Sequence, residues 1–117
     1  MERKIDITVA DLEAYLLDRY GGWANEQGLF LKLVEELGEV AEVINMRAGS
    51  KRATDADLTQ ELGVELADMI HYIVAIAAIN GIDLTSVILE KDKKASLKYH
   101  HDVHLEAFIR EKRSSEA

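Results

Sequence analysis

The sequence predicts an all-α domain of the four-helix-bundle type, completed by oligomerisation. Three observations predict it. The 117 residues contain no proline, the residue that most strongly breaks a helix interior. Apolar residues recur three and four apart over stretches far longer than a strand, and the β-branched residues fall inside those stretches rather than in short alternating runs. Finally, the run from Leu66 to Ile79 is apolar on nearly every face. A lone surface helix shows a stripe instead, and a chain of this size has limited means of covering such a helix by itself. A homodimer or homotetramer that buries it at the subunit contact is therefore expected. The plainer alternative is a central helix covered by its own three neighbours.

The elements follow in order. Thr8 is placed to cap a first helix from Val9 to Tyr20, whose apolar stripe is Val9, Leu12, Leu16 and Tyr20, and Gly21-Gly22 ends it. A loop then runs through Trp23 to about Gly28. The second helix extends from about Leu29 to Ala48, with Phe30, Leu33, Val34, Leu37, Val40, Ala41 and Ile44 as its apolar set. Gly49-Ser50 stops it, and a short basic loop containing Lys51 and Arg52 follows. Thr54 or Asp55 can cap the third helix, which ends at Ile79 before the left-handed stop Asn80-Gly81. Asp83 caps a fourth helix from Leu84 to about Lys98. From Tyr99 on the chain is polar, helical to about Arg113, and frayed over 114–117. These elements make one domain over 1–117, with a core at about 8–100 and a polar helix or tail at 101–117.

Charge and motifs remove several function classes. The net charge is -8 and the pI about 4.9, the wrong sign for a protein that neutralises a nucleic-acid backbone, so no polymer partner is expected. The absence of cysteine rules out disulfides, thiolate chemistry and zinc fingers. Met1 to Asp6 has no long apolar core behind its charges, so no signal peptide is expected and the cytoplasm is the expected compartment. The apolar run at 66–79 is shorter than the roughly 20 residues of a membrane span, and it contains Asp68 and His71. No Walker A loop, GxGxxG or G-x-S-x-G elbow is present.

The informative pattern is a spacing of acids. Glu35-Glu36-Leu37-Gly38-Glu39, with Glu42 beyond, lies on the second helix, and Glu65-Leu66-Ala67-Asp68, with Glu61 before, lies on the third. Residues three or four apart share a helix face, so Glu36 projects with Glu39 and Glu65 with Asp68. Leu33, Val34, Leu37 and Val40 surround the first pair; Leu62, Leu66, Met69 and Ile70 surround the second. Like charges at this spacing weaken a helix, and burying them is costly unless something neutralises them. A divalent cation does so, and magnesium prefers such oxygen ligands. A solvated acidic face is the competing explanation.

Glu35-Glu36-x-x-Glu39 followed by Glu65-x-x-Asp68 resembles the EExxE…ExxD signature of MazG-type nucleotide pyrophosphohydrolases. The flanking Leu31-Lys32-Leu33-Val34, the segment Met69-Ile70-His71-Tyr72, and Gly81-Ile82-Asp83-Leu84 with Lys91-Asp92-Lys93-Lys94 resemble the same family, so the similarity covers about Trp23 to His101. The resemblance implies an enzyme that cuts a ribo- or deoxyribonucleoside triphosphate to the monophosphate and pyrophosphate, with removal of noncanonical nucleotides as one use. Mg2+ would be the cofactor, with Mn2+ able to substitute. Glu36, Glu39, Glu65 and Asp68 would hold it. Glu35 would be a further ligand or would orient the attacking water, and Glu39 or Glu35 would take that water's proton. Lys91 and Lys94 would face the phosphates. Asp92 stands where the family often has Asn, and a carboxylate cannot donate a hydrogen bond as an amide does. A dUTPase-like enzyme and a phosphoribosyl-ATP pyrophosphohydrolase, both from the same superfamily, use the same carboxylate logic.

Other residues are weighed beside these. Trp23, the one tryptophan, could stack on a base or simply anchor its loop. His71 follows Asp68 by three and could support the site, although a lone His on an apolar helix is more often a core residue. His100 and His104 have zinc-like spacing in a segment that is more often just solvated. A di-iron bundle requires Glu-x-x-His on two helices, and only Asp68-x-x-His71 comes close. A non-catalytic helical interaction module accounts for the apolar third helix but not for the two acid clusters. Base, sugar, the phosphorus attacked, the number of ions and the choice between dimer and tetramer are not written in these patterns.

Overall fold

The computed structural model describes residues 4–49 and 55–116. The basic loop around Lys51 and Arg52 and the cap expected at Thr54 lie outside what it describes, and Asp55, the alternative cap, is the first residue of the third helix. Among the described residues there are five α-helices and no strand: α1 (Val9–Tyr20), α2 (Glu26–Gly49), α3 (Asp55–Ile79), α4 (Leu84–Lys98) and α5 (Leu105–Glu116). They form two compact units, Met1–Ile82 and Asp83–Ala117.

In the first unit, Thr8 and Asp11 form a reciprocal capping box at the start of α1: the Asp11 N–H donates to Thr8 Oγ1 at 3.0 Å and the Thr8 N–H to Asp11 Oδ2 at 3.1 Å. Leu16 is fully buried, at 0% exposure, and Tyr20 lies beside it in the core. The chain leaves α1 through Gly21 and Gly22, the latter at φ 90°, a region that a side chain would strain. Helix α2 then begins three residues earlier than expected. Asn25 explains this: its Oδ1 accepts the Gly28 N–H at 2.6 Å, so Gly28 sits inside a capped first turn rather than in a loop.

Helix α3 packs on both α1 and α2, and most extensively on α2. Leu29, Val40 and Val43 of α2 and Leu58, Val74, Ala75, Ala77 and Ala78 of α3 are buried. The alanines at the end of α3 let the helices approach closely. Asn80 closes the helix: its Nδ2 donates to the Ile76 carbonyl at 2.8 Å and to Glu26 Oε1 at 2.9 Å, tying the end of α3 to the start of α2. Gly81 follows at φ 66°, the left-handed stop expected.

This unit does not cover its own apolar surface. Phe30, Leu31, Val34 and Leu37 on α2, and Val64, Leu66, Ile70 and Ile73 on α3, are all exposed. The all-round apolar character of α3 therefore extends well beyond what α1 and α2 bury. Ala56–Ile79 spans 24 residues and contains an 18-residue window of mean hydropathy 1.7, long and apolar enough to cross a membrane by those two criteria alone. The apolar run at 66–79 is too short for that, but the helix around it is longer.

In the second unit, Asp83 caps α4 as expected, accepting the Ser86 N–H at 3.3 Å and the Ser86 hydroxyl at 2.8 Å. The tail differs from expectation. Helix α4 stops at Lys98, His100 takes a left-handed φ of 59°, and the His101 N–H closes back on the Ser96 carbonyl at 2.9 Å. A separate α5 then starts at Leu105 and runs past Arg113 to Glu116. Two acceptors hold its start: His104 Nδ1 takes the Ala107 N–H at 3.2 Å, and Asp92 Oδ2 takes the Leu105 N–H at 2.6 Å.

Candidate metal centre

The α2–α3 packing places the two acid pairs against each other. One carboxylate oxygen each from Glu36, Glu65 and Asp68 falls within 4.8 Å of the others, and all three residues are half-buried. Glu36 Oε2 and Glu65 Oε2 are shut off from solvent and have no hydrogen-bond donor. Glu36 and Glu65 can share a hydrogen bond only if one of them carries a proton. As two carboxylates they repel each other.

The electrostatics follow from this. The Glu36 carboxyl lies above its ordinary range: contact with Glu65 pulls it down, but burial and repulsion from Glu39 and Asp68 outweigh that pull. Glu39 is raised, first by its contact with Glu65 and then by that residue's charge and by burial. At Glu65, contact with Glu39 lowers the value, and contact with Glu36, burial and the charges of Glu36 and Asp68 together raise it. No lysine or arginine of the described residues is among the main influences on these three carboxyls. Glu39 thus belongs to the electrostatic cluster, although it stands outside the close trio. Glu35 does not join them. It is exposed and pairs with Lys32 at 3.4 Å on the outer face of α2.

The donor set is all carboxylate oxygen, which suits a hard divalent cation with ligands at about 2.0–2.6 Å. The two donorless buried oxygens are the kind of orphan such an ion satisfies. The residues present therefore fit a bound divalent metal at Glu36, Glu65 and Asp68, with Glu39 adjoining.

One turn beyond Asp68, His71 Nε2 lies 2.7 Å from the Tyr20 hydroxyl, and the two rings meet edge to face with centroids 5.6 Å apart. Tyr72 packs against the imidazole at 5.0 Å. Burial holds the His71 pKa below its usual value, the nearby Arg19 charge adds to this, and Asp68 opposes it. Sequence reading assigned Tyr20 only to the apolar stripe of α1. Its hydroxyl partner is 51 residues away, and the one local hint was an aromatic residue placed just before the Gly21-Gly22 turn.

Trp23 leans on Tyr20 with centroids 5.6 Å apart, and its indole Nε1 donates to the Arg19 carbonyl at 2.8 Å. The ring is thus anchored by its edge, while 71% of the residue stays exposed. The remaining expected substrate residues lie in the second unit, on α4. Lys91 is exposed, Lys94 pairs with Glu90 at 3.6 Å, and Asp92 is engaged by the start of α5. The zinc-like spacing of His100 and His104 presupposed a continuous helix. With the chain turning at His100, that geometry is lost, and His104 is occupied in capping α5.

Comparison with known proteins shows the family. The model of the MazG nucleotide pyrophosphohydrolase domain matches residues 24–102. The chain belongs to the MazG family. Its MazG segment contains all four clustered acids and extends across residues of both compact units. Two Bacillus subtilis (strain 168) proteins are similar over much of their length. The uncharacterized protein YvdC is 30% identical, covering 80% of this chain and 97% of YvdC. The uncharacterized protein YpjD is 33% identical, covering 68% of this chain and 74% of YpjD. Among solved structures, iMazG from Vibrio DAT 722 superposes with a TM-score of 0.62 at 27% identity, covering 80% of this chain and 98% of that one. The all-α nucleotide pyrophosphatase fold is therefore shared with a MazG crystal structure.

Proposed function

We propose that this MazG protein is a magnesium-dependent pyrophosphohydrolase that converts a ribo- or deoxyribonucleoside triphosphate to the monophosphate and pyrophosphate. The observation that carries the reading is the pair of buried, donorless oxygens of Glu36 and Glu65 inside a cluster of four carboxylates. Such a cluster is unfavourable as it stands and becomes favourable when a cation enters.

Glu36, Glu39, Glu65 and Asp68 would hold Mg2+, with Mn2+ as a substitute. When bound, the ion supplies charge neutralisation for the triphosphate and acidifies the attacking water. Glu39 is the better candidate to accept that water's proton, because it adjoins the trio and its carboxyl is already raised. Glu35, turned outward to Lys32, would need to reorient to act as a base or to orient the water. Trp23 would offer its exposed face to the nucleobase. Lys91 and Lys94 would meet the phosphates. Asp92, in its present bond to the Leu105 N–H, serves α5 rather than substrate. The protein would act in the cytoplasm as a single MazG-like domain assembled as a homodimer or homotetramer through the exposed apolar faces of α2 and α3, with removal of noncanonical nucleotides as one role.

A dUTPase-like or phosphoribosyl-ATP-cleaving activity would use the same carboxylates, and substrate choice alone separates them. A non-catalytic interaction module would use the apolar faces but leaves the acid cluster without a purpose. The test is pyrophosphate release from a panel of canonical and modified triphosphates, with magnesium and with EDTA, for wild type and Glu39→Gln. Release that needs magnesium and disappears in the variant is expected. A folded Glu39→Gln protein with full turnover would overturn the assignment of the base. No release from any triphosphate in the panel would overturn the nucleoside-triphosphate reading and turn the assignment first to phosphoribosyl-ATP or diphosphate substrates, and then to a non-catalytic binding protein.

A further inference from the structure

The cations assigned to substrate so far, Lys91 and Lys94, both stand on α4. We propose that Arg19, at the end of α1, is a further phosphate-contacting residue that takes the triphosphate of a magnesium-bound nucleotide. This inference rests on the pyrophosphohydrolase reading above.

A short path leads from the acid cluster to Arg19. Asp68 and His71 are one turn apart on α3. His71 Nε2 lies 2.7 Å from the Tyr20 hydroxyl. The Arg19 guanidinium carbon lies 5.8 Å from the centre of the Tyr20 ring. The same turn carries Trp23, whose indole N–H is bonded to the Arg19 carbonyl. An exposed aromatic plane and a cation thus sit together at the end of α1, joined through Tyr20 to His71, one helical turn from Asp68; such a pairing suits a base and its phosphates.

The charge of Arg19 is not consumed by the protein. Lys32, Lys93, Lys94 and Arg110 each pair with a glutamate, whereas Arg19 makes no ion pair among the described residues. Its side-chain contacts are a 3.5 Å hydrogen bond to the Tyr15 hydroxyl and the face of Tyr20. Both are weak at an exposed site, so the arm is free to turn. The guanidinium fork matches phosphate oxygens in pairs, which an ammonium does not. A triphosphate carrying one magnesium ion keeps a net negative charge, so it calls for a cation of this kind next to, but not inside, the metal cluster.

The test uses inorganic tripolyphosphate with magnesium as the probe, its binding measured by calorimetry and by the fluorescence of Trp23, the one tryptophan. Arg19→Met keeps much of the apolar stem and removes the charge; Arg19→Lys restores the charge without the fork. Manganese binding by spin resonance and the melting temperature serve as controls. The expected result is a loss in tripolyphosphate affinity on the order of tenfold or more in Arg19→Met, as for removal of one charged hydrogen-bonded contact. Arg19→Lys should fall between the two, with manganese binding and melting unchanged. For the full reaction, KM should rise more than kcat falls. Wild-type affinity in Arg19→Met overturns the proposal and leaves the enzyme reading standing. A variant that also loses manganese binding and melts early assigns Arg19 a structural role and overturns it equally. Wild-type protein that binds manganese but no tripolyphosphate overturns this proposal, and pyrophosphate release by the same protein decides whether the enzyme reading stands.

Discussion

Replacing Glu65 by Gln separates a site built for a cation from an incidental acidic face. Glu36, Glu39, Glu65 and Asp68 all act on one another. Removing one charge of the four removes half of their pairwise repulsions. The new amide also provides a donor next to Glu36 Oε2, which has none. Without divalent cations, Glu65→Gln should therefore melt above the wild type. Magnesium should reverse the order. A ligand that binds only the folded state stabilises it by about 2.7 kcal/mol when present at a hundredfold excess over its Kd. For a domain of this size each kcal/mol moves the melting temperature by several degrees, so the wild type should gain on the order of 10 °C. The variant, short of one ligand, should gain little. Thermal melts followed by circular dichroism, in EDTA and in magnesium at one near-neutral pH, read both effects. A variant that melts below wild type in EDTA would show that Glu65 is satisfied within the fold, and an undiminished magnesium response would place the cation elsewhere; either result refutes the reasoning.

Four further outcomes are expected. In EDTA, the wild type should gain stability as pH falls toward the ordinary Glu value of 4.5. The raised carboxyls of Glu36, Glu39 and Glu65 take up protons in the folded state first, so their contribution is present below that value and is lost as pH rises through their folded values. His71, held low, acts in the opposite sense: its contribution is present above its unfolded value and is lost as pH falls. His71→Asn should therefore enlarge the acid gain, and melts across pH test this. Tyr20→Phe deprives His71 Nε2 of its partner and should cost about 1 kcal/mol in urea unfolding. Leu16→Ala opens a cavity at a fully buried position between α1 and α3 and should cost about 2–5 kcal/mol by the same method. Asp92→Ala should loosen the start of α5, at a cost of about 1 kcal/mol as for a lost helix cap, whereas Asp92→Asn keeps an acceptor; hydrogen exchange at the Leu105 amide distinguishes the two.

Helices α1 and α4 were legible to the residue because each begins at a short polar cap, Thr8 or Asp83, and each follows or precedes a clear stop. The start of α2 was not, since Gly28 reads as a breaker until the Asn25 side chain is seen to satisfy its N–H. The break before α5 depends on a bond between Asp92 and Leu105, thirteen residues apart, and no local pattern announces it. In the site, spacing and apolar flanks made the pairs Glu36 with Glu39 and Glu65 with Asp68 readable, whereas the close trio of Glu36, Glu65 and Asp68 depends on how α2 and α3 pack. Glu35 was less so: neighbours on a helix point about 100° apart, so Glu35 and Glu36 cannot both face α3. The Tyr20–His71 contact joins two helices far apart in sequence and requires the fold itself.

Helix α3 has a consequence for biosynthesis. Considered alone, before the bundle closes around it, it has the length and hydropathy of a membrane-spanning segment. What argues against insertion is the set of polar groups in its body: Glu61, Glu65, Asp68 and His71. Ionisable residues near the middle of a segment strongly disfavour its entry into a bilayer. The acids that gather around the proposed cation thus also address the nascent helix to water. Replacing Glu65 and Asp68 with leucine would abolish the proposed cation site and weaken the barrier to insertion at once, so membrane association of that variant would report on targeting rather than on catalysis. Glutamine and asparagine at these positions keep the address while changing the chemistry.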